Sequence, residues 1–321
     1  MKSRTNLPKL PNASIPALAL LPEPSSSQPY TMQKPFKLPR LCITLTLTAL
    51  SSALLAAEPL KVIAWNIEWF PGHRPTSSVA DAAKHMKASQ AALKKLNPDV
   101  FIGLEMRDWA AFHELVSAVP GLTTHVVSHF VDPTTGETRP QQIGIASKLT
   151  CRAATWETWK ANVPNISRGF SFAALEQKNG KLLMVYGNHL KSNRGEPAEV
   201  ALIRNDQTQQ LIAHRKGVEM AFTHQKIAGW IQAGDFNTNH DGQFPLCKVV
   251  EEMTKAGFHN SWANTPQNER LTWRGDSFDR YKPTTFDYIF TLGLGTPQAK
   301  ILETPRTISD HHAISISLPQ N

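Results

Sequence analysis

Six polar positions in this chain stand where runs of apolar residues begin or end. Asn66 closes the run Leu60–Trp65, Glu105 closes Asp99–Leu104, and His189 and Asp235 each follow a further apolar stretch. Asp287 sits within Phe286–Phe290, and Asp310-His311 precedes Ala313–Leu318. Strands hold such side chains rigidly while adjoining loops admit a ligand, so reactive groups collect at strand ends. Acids and imidazoles converging on one rim need a cation or protons between them, because like charges there repel. Taken singly, an Asp or Asn at such a place more often caps a turn. Six separate termini carrying Asn, Glu, His, Asp, Asp and Asp-His are harder to assign to turn capping alone. A donor set of oxygens and imidazole without thiolate suits a hard cation.

The elements that must position these groups alternate between strand and helix, without internal repeats. The residues predict strands over Leu60–Trp65, Asp99–Leu104, Ile143–Ser147, Phe170–Leu175, Leu182–Tyr186, Ile231–Ala233, Phe286–Phe290 and Ala313–Leu318. One helix is expected over Asp81–Leu96, with Ala82, Met86, Leu93 and Leu96 near one face and Asn97-Pro98 as its stop. A shorter one is expected over Asp108–Val119, stopped by Pro120-Gly121, and a long one over about Asn205–Ala228, after which strands predominate. Mixed strand pairing with helices outside fits an α/β sandwich of two packed sheets. The loops 131–142 and 261–285 are long, and long loops in a compact domain are often functional.

The short motifs occur in a telling order. Trp65-Asn66-Ile67, Gly103-Leu104-Glu105, Gly187-Asn188-His189-Leu190, Gly234-Asp235-Phe236-Asn237, Phe286-Asp287-Tyr288-Ile289 and Ser309-Asp310-His311-His312 follow one another between Leu60 and Leu318. Together with Leu96-Asn97-Pro98-Asp99-Val100, this series resembles the endonuclease/exonuclease/phosphatase superfamily, which includes deoxyribonuclease I and exonuclease III. The resemblance implies a four-layer α-β-β-α sandwich with its active site at one edge of the two sheets. It also implies hydrolysis of phosphoester bonds with Mg²⁺ or Mn²⁺, or with Ca²⁺.

Carried over residue by residue, Glu105 would be the principal metal ligand, with Asn66 and Asp310 beside it or ligating through water. His311 would be the general base or charge partner at the reacting phosphate, oriented by Asp287. Asp235 and Asn237 would position the attacking water or hold the phosphoryl group, and His189 would donate to a phosphate oxygen or protonate the leaving oxygen. Arg168, in Ser167-Arg168-Gly169-Phe170, resembles the family's phosphate-contacting Arg. One departure stands out. The deoxyribonuclease I branch pairs its first His with a Glu, on the strand that here begins Gln141-Gln142-Ile143-Gly144. A Gln accepts a hydrogen bond but supplies no negative charge to keep His189 protonated.

Composition bounds the rest. With 41% hydrophobic and 19% charged residues among 321, the chain is neither disordered nor a disulfide-packed miniprotein, and three cysteines exclude a Cys-based zinc scaffold. The formal charge of +8 arises mostly in residues 1–57, and the remainder carries +3, so basicity argues for no particular partner. Residues 1–31 are rich in Pro and Ser and read as an over-extended or disordered start. Then Lys34, Lys37 and Arg40 precede the apolar Leu41–Leu55 and the small pair Ala56-Ala57. That pattern is a signal peptide over 32–57, with Met32 as initiator and cleavage after Ala57, and it implies an exported protein, periplasmic or secreted. An uncleaved anchor is the alternative, although the segment is short for a bilayer span, and no later stretch is long and apolar enough to cross one. Cys151 and Cys247 then form one disulfide or stay as two thiols.

Weaker signals surround the motifs. Lys191 and Arg194 follow His189, and Arg270, Arg274, Arg280 and Lys282 crowd the approach to Asp287. They read either as an anionic-substrate mouth, with Lys191 binding substrate and Trp273 or Trp262 stacking on it, or as solvated loops. His312 reads as structural or surface, and His214-Arg215-Lys216 as a solvated helix face. The expected function is an exported phosphodiesterase of residues 58–321, attacking by in-line water, with nucleic acid as substrate and no protein partner implied. Cleavage of sphingomyelin or another phospholipid, or of inositol phosphates, is the alternative within the family, and a non-catalytic binding module the alternative outside it. The lack of a clear apolar hairpin tip tilts the choice toward nucleic acid.

Overall fold

The computed structural model describes residues 58–320 apart from 133, 161–167 and 277–280. The expected leader, its Met32 start and its cleavage point lie outside the described residues, as do Arg280 and Ser167.

Two six-stranded sheets pack face to face. The first runs β11 (Lys300–Leu302), β12 (Ala313–Leu318), β1 (Leu60–Phe70), β2 (Val100–Met106), β4 (Gln142–Ser147), β3 (Thr123–Val127). The second runs β5 (Thr150–Thr158), β6 (Gly169–Glu176), β7 (Leu182–His189), β8 (Ile227–Asp235), β10 (Asp287–Leu292), β9 (His259–Asn260). Both sheets are mixed: β1–β2 and β7–β8 pair in parallel, and their other neighbours antiparallel. Alternation along β1 shows why the layers form. Val62 and Ala64 enter the core shared with the second sheet, whereas Ile63 and Trp65 face the other way. There they meet Met86 and Leu93 of helix α1 (Val79–Leu96) and Phe112 and Leu115 of α2 (Trp109–Val116). On the far side α3 (Pro197–Ala221) lays Leu211 and Ile212 against the second sheet. The result is the expected four-layer α-β-β-α sandwich.

Local signals set the boundaries. Ser78 caps α1 by accepting the Asp81 N–H, and left-handed Asn97 ends it before Pro98. Asp108 caps α2 in the same way through the Ala111 N–H. At Gly187 the sheets approach so closely that an added Cβ would meet the Ile102 and Ile143 methyls at 2.8 Å. The long helix begins earlier than expected, at Pro197, a residue suited to the first helical turn, and ends at Ala221. Ile227 and Ala228 already belong to β8. A short helix α4 (Val249–Lys255) interrupts the region expected to be strands. Cys151 and Cys247 are both free thiols. Among the described residues no helix is long and apolar enough to cross a membrane.

Candidate active site

Backbone irregularities aim the first sheet's contributions. The β1–β2 pairing breaks register between Asn66 and Phe70, and β2–β4 breaks between Leu104 and Met106. Glu105 stands at φ 61, a left-handed conformation costly for a non-glycine residue and typical of side chains re-aimed at a site. In the second sheet register does the work: Asp235 pairs with His189 on one side and Asp287 on the other. Gly234 before it admits no side chain, since at φ 142 a Cβ would lie 1.9 Å from the Asn188 carbonyl.

Asp235 Oδ2 is the hub. Asn66 Nδ2 donates to it at 3.1 Å, His189 Nε2 lies 3.5 Å away and His311 Nε2 3.8 Å. The other oxygen, Oδ1, accepts the Asn237 N–H at 2.8 Å. His311 Nδ1 meets Asp287 Oδ2 at 2.7 Å, leaving Nε2 toward the hub. Glu105 accepts from Asn66 Nδ2 at 3.1 Å and from the Trp69 N–H at 2.9 Å. All of these side chains are buried.

Charge is correspondingly perturbed. Burial, with Asp287 and Glu105 nearby, raises the Asp235 pKa to about 7 against the opposing pull of His311. Burial and the Asp310 charge push Glu105 up, while the Trp69 N–H and Asn66 oppose. Burial alone would depress His311, but Asp287, by charge and hydrogen bond, with Asp310 and Asp235, carries it well above its ordinary value. Burial, Arg168 and His311 hold His189 well below its ordinary value, as a neutral imidazole. Its Nδ1 has no hydrogen-bond partner among the described residues and lies 4.0 Å from Glu105 Oε1. Gln142 does not serve it: its amide oxygen accepts from Ser128 Oγ and the Phe130 N–H, and its Nε2 donates to the Phe130 carbonyl. A neutral imidazole can still donate one N–H to a phosphate oxygen.

The residues fit a hard cation. The Asp310 charge raises the cost of ionising Glu105, and a divalent ion held there, with Asn66 beside it, would relieve that repulsion. A second arrangement is geometrically open, since Asp235, Asp287 and His311 each offer a ligand atom within 4.8 Å of the others. There, however, His311 Nδ1 already holds Asp287.

Much of the support comes from residues 272–274, where Trp273 was expected to stack on substrate and Arg274 to line its mouth. Thr272 Oγ1 accepts the N–H groups of Phe286 and Asp287, at 3.0 and 2.9 Å. Trp273 forms bridges to Thr284 and His311, and its indole N–H donates to Asp310 Oδ2 at 3.1 Å. Arg274 N–H donates to the Asp310 carbonyl at 3.0 Å. Residues 272–274 thus splint the lead-in of β10 to the Asp310-His311 turn. Trp262, expected as a stacking ring, is buried and donates its indole N–H to the Asp287 carbonyl at 2.9 Å. Glu68, unremarked in the sequence, accepts the Asp310 N–H at 3.2 Å. Its signal was its place two residues after Asn66.

Other expected residues fall elsewhere. Arg168 lies near Glu105 and Asp235, and its buried Nη1 has no hydrogen-bond partner among the described residues. Lys191 turns its ammonium back on the Ser192 and Arg194 carbonyls, at 3.1 and 2.5 Å. Arg270 is no mouth cation: it is buried, forked onto Asp241 and bonded to Thr285 Oγ1. Arg274 is half-buried against Thr304 and His312. His214 is not on a solvated face either. It bonds the buried Tyr186 hydroxyl at 2.9 Å and lies 3.2 Å from Glu157, while Arg215 stacks over Trp230.

No protein-family model matches the sequence, and no curated protein does. Solved structures do match. The catalytic domain of human Nocturnin with bound sulfate superposes with a TM-score of 0.61 and 18% identity, over 82% of this chain and 94% of that one. Truncated Caenorhabditis elegans TDP2 gives 0.57 and 16%, over 81% and 97%. An endonuclease/exonuclease/phosphatase family protein from Bacteroides thetaiotaomicron gives 0.56 and 14%, over 81% and 94%. At these identities the likeness is one of fold, and the chain has the deoxyribonuclease I-like fold of the endonuclease/exonuclease/phosphatase superfamily.

Proposed function

We propose that this protein is a divalent-metal-dependent phosphodiesterase that hydrolyses nucleic acid by in-line attack of water. The observation that carries the reading is the convergence of three nitrogens, Asn66 Nδ2, His189 Nε2 and His311 Nε2, on Asp235 Oδ2 beside the buried Glu105. Glu105, Asn66 and Asp310 would hold the metal, Mg²⁺ or Mn²⁺, which when bound supplies positive charge to a phosphoryl oxygen. Asp235 and Asn237 orient the water, and its proton passes to Asp235 as the new P–O bond forms and the ester P–O bond opposite breaks, the leaving oxygen departing as alkoxide and taking its proton from solvent. His311, fixed by Asp287, offsets charge on the reacting phosphate, while Arg168 and His189 donate to its oxygens. The Nocturnin structure holds sulfate, a tetrahedral oxyanion of the same shape as phosphate. Export to the periplasm or beyond belongs to the same proposal and rests on the leader pattern in residues 32–57.

The test offers supercoiled plasmid, single-stranded RNA and sphingomyelin vesicles in parallel, with Mg²⁺, Mn²⁺ or EDTA. The reading expects metal-dependent cleavage of a nucleic acid that is lost in Glu105→Ala and His311→Ala while both variants stay folded. Cleavage of vesicles beside intact plasmid and RNA would move the protein to phospholipid substrates.

A further inference from the structure

A buried guanidinium without an acid sits behind the candidate site. Arg204, on α3, is 2% exposed, and no ion pair to it occurs among the described residues. Its Nε donates to Cys247 Sγ at 3.2 Å, and its Nη1 to the Lys191 carbonyl at 3.0 Å and to Asn193 Oδ1 at 2.8 Å. The Phe244 ring lies 5.6 Å from the guanidinium carbon. Every one of these partners is neutral. Burying a charge with only neutral partners is unfavourable, and packing a helix onto a sheet does not require one. Packing therefore does not account for Arg at 204.

What Arg204 holds does account for it. Lys191 and Asn193 belong to the loop that leaves β7 directly after His189. Gln207, nearly one helical turn further along α3, accepts the Lys191 N–H at 2.9 Å, so the helix grips residue 191 through both its backbone groups. Asn193 relays this hold: its Oδ1 takes the Arg204 donor and its Nδ2 donates to the Asn237 carbonyl at 3.0 Å. Asn237 stands at φ 51, a left-handed conformation that Asn adopts more readily than other non-glycine residues. Its N–H is the bond that fixes Asp235 Oδ1, and its Nδ2 donates to the Leu190 carbonyl at 3.2 Å.

We propose that Arg204 is a positioning residue, which through Asn193 holds Asn237, and with it the Asp235 carboxylate, in the geometry for hydrolysis. The proposal rests on the phosphodiesterase reading for its catalytic consequence, but not for its structural one.

The test follows hydrolysis of bis(4-nitrophenyl) phosphate with Mn²⁺. Arg204→Met, which leaves the Lys191 carbonyl and Asn193 Oδ1 without their donor, should lower the thermal midpoint but stay folded, lower kcat about 100-fold and leave KM within about threefold, since misplacing a reacting group costs rate before binding. Asn193→Ala should show the same split, and the double variant should be no slower than the worse single one, because both act along one path. Arg204→Lys should restore part of kcat. Wild-type kcat in Arg204→Met, or losses that multiply in the double variant, would overturn the proposal. Should Arg204→Met fail to fold, wild-type kcat in Asn193→Ala alone would overturn it. Independently of turnover, the backbone amide resonance of Asn237 should shift in Asn193→Ala. An unmoved resonance would overturn the proposal even if the wild-type protein hydrolysed no phosphoester, an outcome that by itself would sink only the phosphodiesterase reading.

Discussion

His311 and Asp287 meet at 2.7 Å, and that contact fixes which imidazole nitrogen faces the hub. The carboxylate also supplies the charge that carries the imidazole well above its ordinary pKa, against burial. Asp287→Asn keeps the size and a possible hydrogen bond but removes that charge and leaves the tautomer free. We expect kcat to fall by about 10²–10⁴-fold with KM little changed, measured by steady-state kinetics beside a thermal melt. At this scale the sequence was informative where a residue's type matched its place at a strand end, as for Glu105, Asp235 and Asp287, whereas Asn66, expected just after a strand, lies inside β1 where its pairing with β2 breaks register. It was uninformative for loop cations. Arg270 reads as a free charge until Asp241, 29 residues earlier, is brought against it, and nothing local announces that pairing.

The elements act as holders of those residues. The segment 272–274 ties Asp310 to the lead-in of β10, and the Trp273 indole N–H fixes one oxygen of Asp310. Groups that orient a metal ligand tune affinity, so Trp273→Phe, which keeps the ring and deletes the donor, should weaken Mn²⁺ binding about 10-fold or more by calorimetry. Helix α1 is fastened to the same turn through His85. Its Nδ1 accepts the Gly72 N–H at 2.8 Å, and its Nε2 donates to the Ile308 carbonyl at 2.8 Å. Burial, with His73 stacked on it, lowers the His85 pKa to about 4. The unfolded chain takes up a proton at this residue below about pH 6.5 that the folded chain refuses until about 4. Stability contributed by His85 is therefore fully present above that window and is lost as pH falls through it. Urea unfolding across pH 4–6.5 should show a slope shallower in His85→Gln than in the wild type, by up to about 1.4 kcal/mol per pH unit for the one proton. Central strands such as β2 and β8 were legible as apolar runs because both their faces are covered. The edge strand β5 was not, since its half-exposed residues carry no clear period. The long helix was misplaced because its start is marked by Pro197 rather than by a side-chain cap.

Across the whole molecule, the site is a product of the packing of two sheets. Asn66 and Glu105 come from the first sheet, and His189, Asp235 and Asp287 from the second. Asn66 Nδ2 bridges them, donating to Glu105 and to Asp235. No single strand carries the chemistry, which is why the order of six motifs conveyed the architecture better than any one of them. The packing of the sheets leaves only hydrogen at Gly187, a requirement no local pattern shows. We propose metal-dependent phosphodiester hydrolysis at this seam. Its most direct test is the rate of bis(4-nitrophenyl) phosphate hydrolysis by the folded protein with Mn²⁺, with EDTA, and with Mn²⁺ in Glu105→Gln. We expect hydrolysis in the first condition, none in the second, and a loss of about 100-fold or more in the third. Hydrolysis that persists at full rate in EDTA or in Glu105→Gln, or a folded wild-type protein with no activity in Mn²⁺, would contradict it.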